Sequence, residues 1–330
     1  MNAAAVRLSL DAATQLCAGA ARRIGACEAT ALSLARASVA AEARGQPNLG
    51  LSHFVDYLEA IVAGRIDGQV EPLLTRPAPA VILSDAGKGA AHPGYDRAHD
   101  EMVAAARRFG LALFAQRNSY TCGALGYFTE RLAGEGLVAL AATNGPALMA
   151  GSGGTRRVFC TNPLAFSAPA QDGIVTIDQA SSATAFVNIR KAARDGRPIP
   201  EGWAVDAEGR PTTDAARAVK GALLAFGGER GANIALMVEI LAAGVTGANW
   251  SVDAPSFTSG AENPGTGMLV LALLPDLVAP DFSGRLSAYV TRLEQEFGVY
   301  VPGRSRRAAA AEAREHGITI PRDLFERLSR

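Results

Sequence analysis

Ala80-Val81-Ile82-Leu83, a glycine-rich turn through Gly87 and Gly89, a helical run over 95–109, and Leu111-Ala112-Leu113-Phe114-Ala115 form the stretch whose reading decides the fold class. Two short, wholly apolar runs on either side of a helix read as strands buried in a sheet, and their alternation with helix marks an α/β chain. The alternation continues through a helix near 124–132 and a strand at 137–142. Two further β runs, 164–167 and 174–177, are followed by helices near 182–193 and 213–224. Beyond Gly227-Gly228-Glu229-Arg230-Gly231 a strong helix carries Ile234, Met237, Val238 and Leu241 on one face, and a last strand at 268–273 precedes helices from about 283. The expectation is a mixed sheet with helical layers.

Toward the N-terminus the pattern is helical throughout. Ser9 stands before Leu10, Ala13, Leu16 and Ala20 with Asp11 in the first turn, a helix-start signature. A second periodic run covers 27–43 and stops at Gly45-Gln46-Pro47. Leu51, Phe54, Val55, Leu58, Ile61 and Val62 then make a stripe one helix face wide. The first 64 residues are read as all helix. Because both ends of the chain are helical, residues 1–70 and 283–330 are expected to pack as one discontinuous domain around an α/β region at 71–282.

Composition narrows the function. The 330 residues are 48% hydrophobic and 19% charged, the balance of a compact folded chain. Thirty-two basic residues offset thirty-two acidic ones, with no basic stripe, so nucleic acid is not an expected partner. Cys17, Cys27, Cys122 and Cys160 form neither a secreted disulfide framework nor a C-x-x-C pattern, which fits a reducing cytoplasm. Asp11 interrupts the first apolar stretch and Pro275 ends the longest one, so neither export signal nor membrane span is expected.

The dinucleotide fingerprint G-x-G-x-x-G is absent, so a nicotinamide site would be built in a non-Rossmann way. Two glycine clusters, Gly151-Ser152-Gly153-Gly154-Thr155-Arg156 and Gly227-Gly228-Glu229-Arg230-Gly231, are either ordinary turns or backbone cradles for an anion, the second at a helix start. His53 falls in the first turn of the third helix, where a carboxylate is favoured; the other reading is that Asn48 or Ser52 caps the helix and His53 is solvated. His92, His99 and His316 have no partners at ligand spacing, and no metal is expected. Cys122, in a strand-to-helix turn, is either an activated thiolate or, as its lack of a partner base favours, a small buried thiol.

Read together, the loops carry a resemblance. In order occur Cys160-Thr161-Asn162-Pro163, Asp178-Gln179-Ala180-Ser181-Ser182-Ala183, Pro200-Glu201-Gly202-Trp203-Ala204, Gly209-Arg210-Pro211-Thr212-Thr213-Asp214, Gly227-Gly228 with Gly231, and Val301-Pro302-Gly303-Arg304. Over nearly its whole length the chain resembles the type-2 malate/L-lactate dehydrogenase family, which also holds ureidoglycolate dehydrogenase, sulfolactate dehydrogenase, diketogulonate reductase and piperideine/pyrroline carboxylate reductase. The resemblance implies a sulfolactate dehydrogenase-like, non-Rossmann fold, an NAD- or NADP-dependent oxidoreductase, a homodimer, and a small 2-oxo acid, 2-hydroxy acid or cyclic imino acid as substrate. It places the cofactor-binding part at about 117–282, beside a smaller segment at about 71–116. Cofactor contacts then fall on Thr121, Cys122 and Gly123, on Asp178, Gln179 and Ala180, on Glu229 and Arg230, and on Arg304, Arg306 and Arg307; Thr161 touches substrate.

The departures bear on chemistry. Where relatives carry a proton-donating histidine the chain has Asn48-Leu49, the family's substrate arginine falls on His53, and the acid of the proton relay falls on Asn188. Thr121 stands where the turn histidine is usual, and Glu229-Arg230 where His-Lys is usual. Leucine moves no proton. His53 becomes the expected replacement acid, with Asn48, Thr121 and Asn188 as neutral partners and Phe186 with Leu49 making the pocket more apolar. The alternatives are reduction of an already protonated iminium, or a homologue that binds dinucleotide or metabolite with impaired catalysis.

Overall fold

The computed structural model describes residues 5–330. It opens with β1 (Ala5–Leu8) and three helices, α1 (Leu10–Arg23), α2 (Glu28–Ala43) and α3 (Leu51–Val62). The Ser9 hydroxyl accepts from the Ala12 amide at 3.1 Å, as its position before α1 predicts. Leu51, Phe54, Val55, Tyr57 and Ala60 are the buried face of α3. The strand β1 corrects the all-helical reading of the first 64 residues. Four residues are too few to show a period, and their antiparallel partner, Ile318–Pro321, lies at the other end of the chain.

The middle of the chain supplies β2 (Leu73–Ala78), β3 (Val81–Asp85), α4 (His92–Phe109), β4 (Leu111–Ser119), α5 (Gly126–Gly134) and β5 (Val138–Thr143). Then come β6 (Met149–Ala150), β7 (Arg157–Phe159), β8 (Leu164–Ala170), β9 (Gly173–Gln179), α6 (Phe186–Arg194), β10 (Ala204–Val205), α7 (Ala215–Lys220) and β11 (Ala222–Leu223). A helix α8 (Glu229–Glu239) runs into a π-helical turn, Ile240–Gly244, and β12 (Thr266–Leu273) follows. The chain ends in α9 (Phe282–Gln295), α10 (Arg304–His316), β13 (Ile318–Pro321) and α11 (Arg322–Ser329). The single helix expected over 213–224 is instead the short α7 and β11, because Gly221 ends the helix and Leu223 pairs with Met149 of β6.

Seven strands form one sheet in the order β2-β3-β4-β12-β5-β8-β9. Only β3 and β4 run parallel; every other neighbouring pair is antiparallel. The late strand β12 occupies the centre, between β4 and β5, so the alternation read from sequence does not make those two strands neighbours. The fold is a mixed α/β architecture and not a doubly wound sheet.

Register divides the sheet into two faces. Ile82, Phe114, Val270, Ala141, Ala165 and Asp178 lie in one row across six strands, and the five apolar members are buried in the same cluster as side chains of α4 and α5 or beside it. Asp178 therefore projects on the α5 side. The adjacent row on the other face is Val81, Leu113, Leu271, Leu140, Phe166 and Ile177, none of them fully buried. A second sheet, β10-β11-β6-β7, packs with α6 and α7 around Met149, Ile189, Leu223 and Trp203. A third cluster joins both chain ends, with Leu34, Phe54 and Tyr57 beside Ile318, Ile320 and Leu328.

Candidate functional site

The start of α3 is capped by neither Asn48 nor Ser52. The Glu42 carboxylate of α2 accepts from the Leu51 amide at 2.8 Å, and burial pushes its pKa up while that hydrogen bond holds it down. The helix end offered by the sequence to a substrate carboxylate is thus already held by one from the protein. One turn on, His53 Nδ1 stands 2.9 Å from Asp56 Oδ2, with side chains 19% and 61% exposed. That contact fixes Nδ1 and leaves Nε2 as the free nitrogen. Asp56 was absent from the sequence reading, although its spacing of three residues from His53 was visible there.

Around His53 the strand-to-helix turn after β4 and the start of α4 converge. The Tyr57 ring meets the His53 ring edge-on with centroids 4.6 Å apart and reaches the His92 ring at 5.9 Å. Gly123 has φ +66°, and a Cβ placed on it would lie 2.9 Å from the Tyr57 hydroxyl and 4.0 Å from His53 Nε2. Only glycine fits this close approach and this backbone region. The turn is fixed by the Tyr120 amide donating to Gly89 O at 2.9 Å and its hydroxyl donating to Phe257 O at 2.7 Å.

Three buried titratable groups ring this point, and burial keeps each neutral. Desolvation pushes the Cys122 thiol up to about 12, with Asp178 adding to the effect. It lowers His92 to about 4, against the pull of Asp96. It also raises Tyr57 well above the ordinary phenol value. Of the two readings of Cys122, the environment is that of an inert buried thiol.

Asp178, Arg306 and Cys122 come together at the N-terminal end of α5. Asp178 Oδ2 accepts from the Gly126 amide at 2.8 Å; burial raises its pKa, opposed by that amide and by Arg306 and Arg44. Arg44 is ion-paired with Glu130 of α5 and was not foreseen, because α2 gives no hint that it crosses α5. Gln179 ends β9 opposite Leu164, and Ala180 follows it. Arg304 is instead paired with Glu294 at 2.5 Å, and Arg307 donates to Asp172 O at 3.1 Å, so two of the three C-terminal arginines are engaged away from Asp178.

The two glycine clusters meet. Gly151, Ser152, Gly153 and Gly154 face Gly227, Gly228 and Glu229 across a cavity of about 430 Å³ that also touches Ala183 and Gly202. Gly227 and Gly228 take φ +57° and +66°, the turn that opens α8 toward the cavity. Glu229 lines it, whereas Arg230 is exposed and outside the lining. A helix start that opens on a glycine-lined cleft is a place where an anion such as phosphate is favoured.

The remaining sequence candidates lie apart. Thr161 is half-buried, its carbonyl accepting from the Ser181 amide at 2.8 Å. Phe186 packs in the cluster of the second sheet, and Asn188 Nδ2 donates to Thr184 Oγ1 at 3.1 Å. Among the described residues no hydrogen bond links Asn188 or Asn48 to His53, so the three do not form a relay within one chain. Also among the described residues, no three His, Cys, Asp or Glu side chains gather as a metal-ligand set, and no helix is long and apolar enough to cross a membrane.

Comparison with known proteins agrees with this architecture. The malate/L-lactate dehydrogenase family matches residues 8–329. The chain is 36% identical over 324 residues to the NADP(+)-linked (2R)-3-sulfolactate dehydrogenase of Chromohalobacter salexigens, covering 97% of this chain and 96% of that one. It is 35% identical to the Δ1-pyrroline-2-carboxylate/Δ1-piperideine-2-carboxylate reductase of Pseudomonas putida, covering 91% and 89%. The crystal structure of Δ1-piperideine-2-carboxylate reductase from Pseudomonas syringae pvar. tomato superposes with a TM-score of 0.94 at 33% identity, over 98% of this chain and 99% of that one.

Proposed function

The chain belongs to the malate/L-lactate dehydrogenase family, and from that premise we propose that it is an NAD(P)H-dependent reductase of small cyclic imino acids. It is an oxidoreductase of that family. The observation that carries the substrate choice is Leu49 in place of a proton donor, beside a buried set around Gly123 in which burial makes the Cys122 thiol and Tyr57 phenol poor acids and holds His92 unprotonated. A carbonyl needs a proton as hydride arrives, and general acid catalysis is worth about 10²–10⁴-fold. A protonated cyclic imine needs none. The glycine-lined cleft with Glu229, and Asp178 with Arg306 at the start of α5, are the groups of this chain that would hold a reduced nicotinamide, which would supply the hydride.

A 2-oxo acid is the second reading, favoured by the pairing of His53 with Asp56, which makes His53 Nε2 available as an acid. Homodimer formation is supported by the apolar row from Val81 to Ile177, in which Leu271 and Ile177 are exposed and the other members half-buried, beside the π-helical turn that packs on β12 and β5. The four unpaired cysteines are consistent with a cytoplasmic setting.

The test is steady-state oxidation of NADPH and of NADH with Δ1-pyrroline-2-carboxylate, Δ1-piperideine-2-carboxylate, pyruvate and oxaloacetate. The imino acids should exceed the oxo acids in kcat/KM by about 10² or more, the range of a missing general acid. Robust oxaloacetate reduction contradicts the reading, and cofactor binding without turnover of any of the four points to a binding homologue.

A further inference from the structure

Glu239, the last residue of α8, is a buried carboxylate with 4% exposure and no cationic partner among the described residues. An unpaired buried carboxylate is costly unless every lone pair is used. Here all its partners are neutral. Oε2 accepts from Asn162 Nδ2 at 2.7 Å and from the Ser251 hydroxyl at 2.7 Å. Oε1 accepts from the Ser251 amide at 2.6 Å and from Asn144 Nδ2 at 3.5 Å.

These bonds converge on one loop. Asn162 is held directly in a left-handed conformation, φ +36°. Its neighbour on the other side of Thr161 is held indirectly, because the Cys160 amide donates to Ser251 Oγ at 3.2 Å. Thr161 thus lies between two residues that Glu239 fixes, one directly and one through a single hydroxyl. From the opposite side Ser181, next to Asp178-Gln179-Ala180, closes the loop: its amide donates to Thr161 O and its hydroxyl to Asn162 O, both at 2.8 Å. The far end of α8 is the glycine turn that lines the cavity. The turn after Glu239 is π-helical, a local departure from the α-helical ladder often seen at functional sites.

We infer that Glu239 is a positioning residue that sets Thr161 toward substrate by clamping Cys160 and Asn162, an inference that rests on the substrate contact the family resemblance implies for Thr161. A misplacement of about 1 Å in such a group is worth about 10²-fold in rate. The amide of Glu239→Gln presents hydrogens to donors and loosens the clamp. In Glu239→Gln with Asn162→Asp, carboxylate and amide exchange places and the bond between the two side chains is remade, although the donation from Asn162 Nδ2 to Ala235 O at 2.9 Å is lost.

With Δ1-pyrroline-2-carboxylate and NADPH as probes, Glu239→Gln should raise the KM of the imino acid about tenfold or more, a partial loss of the full positioning effect, and leave the Kd of NADPH unchanged. The paired variant should recover part of that loss. Ser251→Ala, which removes the tie to Cys160 and one bond to Glu239 while Asn162 stays held, should shift KM the same way by less, and serves where Glu239→Gln does not fold. Wild-type KM in Glu239→Gln or Ser251→Ala overturns the inference, as does parallel loss of substrate and NADPH binding that the paired variant does not recover. Thr161→Val separates the premise: unchanged KM there overturns the role of Thr161 itself, while a raised KM beside a normal Glu239→Gln overturns only the role of Glu239.

Discussion

His53 Nδ1 and Asp56 Oδ2 are 2.9 Å apart on one face of α3, so this histidine is oriented by a carboxylate of its own helix. This pair separates carbonyl from iminium chemistry. His53→Gln should lower kcat for a 2-oxo acid by about 10²-fold, within the general-acid range, and Asp56→Asn by a smaller factor, while reduction of Δ1-piperideine-2-carboxylate stays near wild type. Equal losses on both substrates would show that the pair serves structure or binding instead.

Beside that pair the Tyr57 hydroxyl occupies the space that a side chain at Gly123 would need. Gly123→Ala places a methyl 2.9 Å from the Tyr57 hydroxyl at φ +66°. The backbone term alone costs roughly 1–2 kcal/mol, and displacement of the turn should cut kcat/KM by at least about tenfold. Tyr57→Phe in the same chain removes the oxygen and should restore part of the activity. If the double variant is no better than Gly123→Ala, the loss comes from the backbone and not from this contact.

His92 makes stability depend on pH. Its pKa is about 4 in the fold against 6.5 ordinarily, because burial disfavours the charged ring. Between those values the unfolded chain binds a proton that the folded chain does not, so stability falls as pH is lowered through that window. The penalty is absent above 6.5 and complete below about 4, on the order of a few kcal/mol. The fall in Tm from pH 7 to pH 5 should be smaller in His92→Phe than in wild type. Parallel curves would remove His92 as a source.

The apolar row beyond the helical layer predicts assembly. Leu271, at its centre on β12 and flanked by Leu113 and Leu140, is among the exposed members. Leu271→Asp puts a charge into any interface on this face and should yield a monomer by light scattering, with far-ultraviolet circular dichroism unchanged. A variant that keeps the wild-type mass places the interface elsewhere.

The sequence by itself determined the element types. Helices α1, α2 and α3, the strands β3, β4, β5, β8 and β9, and the helical end of the chain were legible, because each carries a local signal: a capping serine, a 3.6-residue stripe, an apolar run. The glycine clusters were legible as turns for the same reason. Tertiary structure decided what no local signal encodes. It placed β12 between β4 and β5, paired β1 with β13, brought the two glycine clusters to one cavity, put Glu42 on the α3 end and Arg44 against α5, and gathered Asn144, Asn162 and Ser251 on Glu239. The physical reason is separation along the chain. A strand's partner and a buried carboxylate's donors are selected by packing and by the need to satisfy every buried polar group, and those conditions exist only once distant segments meet.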